Sequence, residues 1–314
     1  MTNSGYDYLV NKIQSAKMTE YPFPHIRIKN FLRKKDFEKI INSQQISIKE
    51  SKSTKELLTN LKQAGYRTVE FPGSIKDEDR YIKYIDKGIY DPSLIHGYGK
   101  GTIGGYGLTY RLESYNCDQL REIMEFLEGE LFLRTLRDKF NIESPVVYEG
   151  GIQKNLKGYE ISPHPDTSKK ALTWMINIYT ESGDLSAKRL HTQLCQFRRE
   201  YRYIETFWRD NDVDPVWVPW DWAETVATTH ENNSLIIFKP SFNTLHAVEV
   251  SEDHLKHQRN QIYGNLWYPK AKKLRSAPVP RLNIMREKSK LEQVYSWIGK
   301  VGAAPRYVSN KLKK

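Results

Sequence analysis

The spacing of apolar residues changes character once along this chain, near Pro145. Ahead of that point it is helical. Leu120, Ile123, Met124, Leu127, Leu131, Leu133 and Leu136 recur mostly at three- and four-residue intervals, with Asp118 placed as an N-cap and a break near Gly129. Phe31, Leu32, Phe37, Ile40 and Ile41 give a similar spacing through about Gln45, and Thr54–Gln63 reads as one more short helix. A short half-buried strand opens this half, where Ile26 and Ile28 alternate with Arg27 and Lys29. After Pro145 strand-like runs dominate: Val146–Leu156, Ala171–Tyr179, Ser234–Phe238, Leu245–Val250 and Gln261–Tyr268. Turn residues separate most of them, as in an antiparallel sandwich or barrel. Between Gly183 and Ala227 the runs give way to an aromatic-rich segment with Phe197, Tyr201, Phe207, Trp208, Trp217 and Trp222, in which Arg198–Trp208 fits a short helix. A segment of this length is a substrate-facing lid or a layer packed on the sheet, and the sequence leaves both open.

The expected class is therefore α+β in three parts. Residues 1–145 form a helical support with a short strand, 146–270 a β core with its insertion at 183–227, and 271–314 a C-terminal extension with a helix over Arg286–Gly299. Composition adds bounds. The 314 residues suffice for one large domain or two small ones, and no run of eighteen apolar residues occurs that could span a bilayer. The N-terminus lacks the basic-then-apolar pattern of a signal peptide, and two cysteines, Cys117 and Cys195, are too few for a disulfide framework. A reducing cytoplasm is the expected compartment. Of the formal net charge of +11, +10 lies from Ala271 onward, where twelve Lys or Arg face only Glu287 and Glu292. The bland reading is a solvated helix face; the alternative is a docking surface for an acidic partner. Nothing there resembles a nucleic-acid motif.

Two stretches carry candidate chemistry. Gly99-Lys100-Gly101-Thr102-Ile103-Gly104 fits GxGxxG in letters, but no strand precedes it and no helix follows, so it reads as a loop. Ser162-Pro163-His164-Pro165-Asp166-Thr167 is more informative. A histidine and a carboxylate at i and i+2 project from one side of an extended segment, and each proline favours extended backbone in the residue before it. Non-haem iron sites use two histidines and one carboxylate on one face of the metal. Of the eight histidines, His191, His254 and His257 lie among charged residues and read as solvated, whereas His246 ends a buried strand-like run. Arg259 then begins the last run, with Lys256 as a competing cation just before it.

The order His-x-Asp, buried strand, distal His, then Arg on the last strand resembles the Fe(II)- and 2-oxoglutarate-dependent oxygenases, in the branch similar to prolyl hydroxylases. The Pro22-Phe23-Pro24-His25 to Asn30-Phe31-Leu32 opening resembles that branch as well. The resemblance implies a double-stranded β-helix (jelly-roll, cupin-like) core with helices packed on it. It implies that His164, Asp166 and His246 hold Fe(II), that Arg259 binds the distal carboxylate of 2-oxoglutarate, and that O2 is the oxidant, with ascorbate as a stimulant. Asn177, on the same strand face as Thr173, is a candidate donor to the cosubstrate or a structural hydrogen-bonding group. Gln261 departs from the Ser or Thr that many relatives carry two residues after the arginine. Halogenating relatives have a small residue in place of the carboxylate, so Asp166 favours hydroxylation, of a small-molecule or peptide substrate. A jelly-roll binding module without catalysis, and a cupin-like metalloenzyme not using 2-oxoglutarate, remain alternatives.

Overall fold

The computed structural model describes residues 5–69, 75, 77–87, 107–180, 190–215, 217–271 and 274–276. The helices are α1 (Tyr8–Ser15), α2 (Lys34–Ile41), α3 (Thr54–Gln63), α4 (Glu78–Lys87), α5 (Asp118–Glu128), α6 (Glu130–Lys139) and α7 (Tyr203–Asp210). The strands are β1 (His25–Ile28), β2 (Tyr66–Thr68), β3 (Thr109–Leu112), β4 (Val147–Asn155), β5 (Glu160–His164), β6 (Lys170–Asn177) and β7 (Thr192–Phe197). They continue through β8 (Val213–Asp214), β9 (Ala223–Thr229), β10 (Leu235–Phe238), β11 (His246–Glu249), β12 (Arg259–Trp267) and β13 (Arg275–Ser276).

Helix ends follow local chemistry. The Ser53 side chain accepts from the Glu56 amide, and the Glu56 carboxylate accepts from the Lys52 amide, so α3 starts where its capping groups are. Gly129, in extended conformation, ends α5 and begins α6. Asp118 is the first residue of α5 rather than its cap; Cys117 precedes it with no side-chain cap, and Asp118 pairs with Arg121 one turn on.

Two antiparallel sheets form the core. The larger runs β1-β10-β6-β12-β4-β3-β2, and the smaller runs β5-β11-β7-β9. From β4 to β7, and again from β9 to β12, successive strands alternate between the sheets, which is the winding of a double-stranded β-helix. One face of the large sheet packs on the helices: Ile152, Leu172, Trp174, Ile176, Ile262 and Leu266 share a core with residues of α1, α5 and α6. Fully burying such a side chain contributes ~1.5–3 kcal/mol. Trp174 meets Phe132 edge-on at 5.4 Å, and Gly264 lies beneath its indole, where an added Cβ would fall 2.3 Å from the ring. The other face of the large sheet looks into a cavity.

The five expected runs appear as β4, β6, β10, β11 and β12. β5, β7 and β9 have no counterpart among the expected runs, so the interruption is not all insertion: 192–197 and 223–229 belong to the small sheet. Their side chains lack a clean apolar alternation. β5 carries Pro163 and tolerates it because the strand is an edge with one partner, β11. β9 is the opposite edge, with exposed Glu224 and Thr225. What lies between, 198–222, is the narrower aromatic segment; Phe197, Ile204 and Trp208 pack with Leu245 and Ala247 of the small-sheet side. β2 and β3 likewise extend the large sheet from the half expected to hold one strand. The GxGxxG stretch and most of the basic extension fall outside the described residues. Among the described residues no helix is long and apolar enough to cross a membrane.

Candidate metal centre

The geometry of the candidate metal site is set by sheet register. β5 and β11 pair antiparallel with His164 directly opposite His246, so two residues 82 apart in sequence become cross-strand neighbours with ring centroids 4.3 Å apart. Asp166 leaves the end of β5 two residues later and joins them. Ligand-capable atoms of His164, Asp166 and His246 all lie within 4.8 Å of one another, and the three side chains are buried. Among the described residues this is the one such cluster.

Both histidines are oriented by one local device. His164 Nδ1 lies 2.9 Å from the Ser162 carbonyl oxygen, and His246 Nδ1 lies 3.1 Å from that of Thr244. A carbonyl only accepts, so Nδ1 carries the proton in each ring and Nε2 keeps its lone pair for a metal. Burial, reinforced by the neighbouring imidazole, pushes His164 down to about 3, and burial also lowers His246. Both rings are neutral at physiological pH, the form that binds metal.

Asp166 is held at both oxygens. Lys170 Nζ donates to Oδ1 at 2.6 Å, and Thr173 Oγ1 donates to Oδ2 at 2.6 Å. Burial alone would raise this carboxyl, but the Lys170 ammonium and the two imidazoles outweigh it and hold Asp166 well below the usual carboxylate range. The following turn is clamped from the side by Asp214, whose carboxylate accepts from the Thr167 and Ser168 hydroxyls at 3.2 and 3.1 Å. Neither Lys170 nor Asp214 carries a sequence signal that separates it from a surface residue.

His164, Asp166 and His246 line a cavity of about 320 Å3 between the sheets, and Arg259 lines it too. Arg259 is 1% exposed. It donates to the Leu190 carbonyl at 2.8 Å, to Asn155 Oδ1 at 2.6 Å and to Thr192 Oγ1 at 2.9 Å, all neutral acceptors. No carboxylate among the described residues pairs with it. A buried guanidinium without a counter-ion is costly unless an anion completes it. Thr192 faces Val248 in the β7–β11 register, two residues from His246, so the guanidinium anchors roughly 7 Å of strand away from the metal ligands.

The other sequence-derived candidates separate cleanly. Lys256 lies at the surface near Glu50, away from the cavity. Asn177 is absent from the cavity lining; its amide donates to the Thr229 and Glu231 carbonyls and its oxygen accepts from Gln261 Nε2, tying β6 to β12 and to the β9–β10 connection. Thr173, on the same strand, does reach the site. His191 and His254, expected in solvent, are 7% and 2% exposed. The rest of the lining had a legible signal: on β12, Arg259, Gln261, Tyr263, Asn265 and Trp267 alternate with Ile262, Gly264 and Leu266. That period of two puts these polar and aromatic members on the cavity face, while Asn260 points the other way and accepts from Lys154 Nζ.

Fold and site together define a double-stranded β-helix carrying a two-histidine, one-carboxylate centre beside a buried arginine. Solved structures similar to the chain include a Pseudomonas putida prolyl-4-hydroxylase, at 8% identity and a TM-score of 0.40, covering 84% of this chain and 100% of that one. A Trichoplax adhaerens prolyl hydroxylase, solved with a hypoxia-inducible-factor peptide, matches at 8% identity and a TM-score of 0.44, covering 84% and 89%. A Burkholderia pseudomallei oxidoreductase of the 2OG-Fe(II) oxygenase family matches at 13% identity and a TM-score of 0.28, covering 72% and 96%. No family model and no curated sequence relative matches the chain.

Proposed function

We propose that this chain is an Fe(II)- and 2-oxoglutarate-dependent dioxygenase that hydroxylates a C–H bond of a small-molecule or peptide substrate. The observation that carries the reading is the joint presence, in one cavity, of the His164–Asp166–His246 cluster and the buried Arg259, which no carboxylate among the described residues pairs with. Two neutral imidazoles and one carboxylate suit a divalent iron and leave further coordination positions open. A planar guanidinium suits the distal carboxylate of a dicarboxylic acid, which it grips with two parallel hydrogen bonds. When bound, Fe(II) with 2-oxoglutarate and O2 supplies the oxidation: the cosubstrate leaves as succinate and CO2, and one oxygen atom enters the substrate. The protein's part is orientation. The Ser162 and Thr244 carbonyls fix both imidazoles, Lys170 and Thr173 fix the carboxylate, and the cavity limits water.

The test uses the full chain under anaerobic conditions with Mn(II) in place of Fe(II). Mn(II) and 2-oxoglutarate together should raise the melting temperature more than either alone, and aerobic Fe(II) protein should release succinate. Asp166→Ala should abolish succinate release while the apo protein still melts cooperatively. Undiminished 2-oxoglutarate turnover in that variant would overturn the reading. A metal-dependent shift with no response to 2-oxoglutarate would favour the cupin-like alternative.

A further inference from the structure

A second constellation faces the same cavity; it touches none of the three candidate metal ligands directly, although its Trp267 ring centroid lies 5.3 Å from the Lys170 Nζ that holds Asp166. It stands on β3, β4 and β12. Arg111 donates from Nη1 to Glu149 Oε1 at 3.0 Å, and Trp267 Nε1 donates to Glu149 Oε2 at 2.9 Å. The Arg111 guanidinium lies 4.7 Å from the centroid of the Tyr263 ring. All four side chains line the cavity that holds His164, Asp166 and His246.

An ordinary ion pair on a sheet surface contributes ~0–1 kcal/mol and has no need of such support. Here each charge has its own aromatic partner, Tyr263 under the guanidinium and Trp267 on the carboxylate. Both charges are therefore fixed in place, yet each remains partly open to solvent, at 34% and 43% exposure. Glu149 accepts one of these bonds at each oxygen, and a carboxylate has about four acceptor sites. The wall beside the pair is open: β4 carries Gly151 between Glu149 and Gln153, and a Cβ there would meet nothing nearer than Tyr263 Cε1 at 3.9 Å. The Tyr263 hydroxyl, on a side chain 6% exposed, is buried with no hydrogen-bond partner among the described residues. The other cation on this side, Lys170, is committed to Asp166.

We infer that this wall is the subsite for the primary substrate, and that the substrate is a free α-amino acid. Its carboxylate is met by Arg111 and its ammonium by Glu149, which leaves its side chain to face the metal. A fixed pair of opposite charges matches a zwitterion, whereas a substrate of one sign would meet like charge from one member. A volume of about 320 Å3, shared with the cosubstrate, lies at the small end of small-molecule pockets and suits a molecule of that size. The inference rests on the oxygenase reading, and its test separates the two.

The full chain with Mn(II) and 2-oxoglutarate, held anaerobically, is titrated with each of the common L-amino acids, then with the N-acetyl and the amide derivative of any that binds. The expected result is a further rise in melting temperature with at least one amino acid, lost at least tenfold in affinity in both derivatives. Arg111→Gln and Glu149→Gln should each weaken that amino acid at least tenfold and leave the Mn(II) and 2-oxoglutarate response intact, which also reports their folding. An intact Mn(II) and 2-oxoglutarate response with no amino-acid response overturns the inference alone. A derivative that binds as tightly as its parent overturns it too, since the wall then reads no zwitterion. Loss of the Mn(II) and 2-oxoglutarate response in the unsubstituted chain overturns both.

Discussion

Arg259→Met separates ligand binding from fold stability more sharply than any other single change in this site. Arg259 is buried, and its partners among the described residues are neutral acceptors, Leu190 O, Asn155 Oδ1 and Thr192 Oγ1. Methionine keeps much of the length and loses the charge. In the apo protein, three acceptors left without this donor cost ~1–3 kcal/mol each. Removing a buried, unpaired cation returns several kcal/mol, so the two largely offset. The cosubstrate has no such compensation. A guanidinium–carboxylate pair makes two charge-assisted hydrogen bonds of ~1.5–3 kcal/mol each, so the Kd for 2-oxoglutarate should rise by about a hundredfold to ten-thousandfold. At a concentration one hundred times the wild-type Kd, bound ligand stabilises the native state by ~2.7 kcal/mol; after a hundredfold loss it contributes ~0.4 kcal/mol. In melting temperature that is a shift of roughly 4 °C reduced to about 0.6 °C. The assay is thermal unfolding of the anaerobic Mn(II) protein against 2-oxoglutarate concentration, with apo melting as the control. A variant that binds 2-oxoglutarate within threefold of the parent would refute the assignment of this arginine, whatever its stability.

Two further outcomes follow from packing and burial. Gly264→Ala puts a methyl group 2.3 Å from the Trp174 ring, on the helix-facing side of β12, and should destabilise the chain by ~1–3 kcal/mol; an unchanged denaturant midpoint would show that the sheet accommodates it. Metal-free protein should lose stability as pH falls from about 6.5 towards 4. Burial pushes His164 down to about 3 and His254 down to about 4, both below the unfolded value of ~6.5, so in this window the unfolded state binds more protons. The contribution is fully present above the unfolded value and is lost on acidification. His254→Gln should flatten the slope by up to ~1.4 kcal/mol per pH unit, and urea titrations from pH 7.5 to 4.5 that give parallel slopes would count against it.

Much of this protein was legible in one dimension because much of it is local. A period of three to four residues from Leu120 to Leu136 could only be helix, and Gly129 marked its break. The apolar runs that became β4, β6, β10 and β12 declared themselves because one face of each is buried in the core shared with the helices, which demands apolar residues at alternate positions, while Ala247 and Val248 of β11 pack in two smaller clusters. The His-x-Asp spacing placed two ligands on one side of an extended segment whatever surrounded it. The small sheet had no such advantage. β5 and β7 are buried at most positions on both faces and β9 is a partly exposed edge, so their sequences alternate weakly and read as interruption.

What tertiary structure alone decided is which distant residues meet. That His246 stands opposite His164 depends on the register of β11 against β5, and a slip of one residue would turn a ligand to the other face of the sheet. That Arg259 is a buried cation with no acid among the described residues paired to it, that Lys170 and Thr173 hold the two oxygens of Asp166, and that Arg111 and Glu149 meet across β3 and β4 are facts of the same kind. Spacing along the chain fixes direction within one strand. Only the pairing of strands fixes neighbours across them, and this site is built from strands of both sheets.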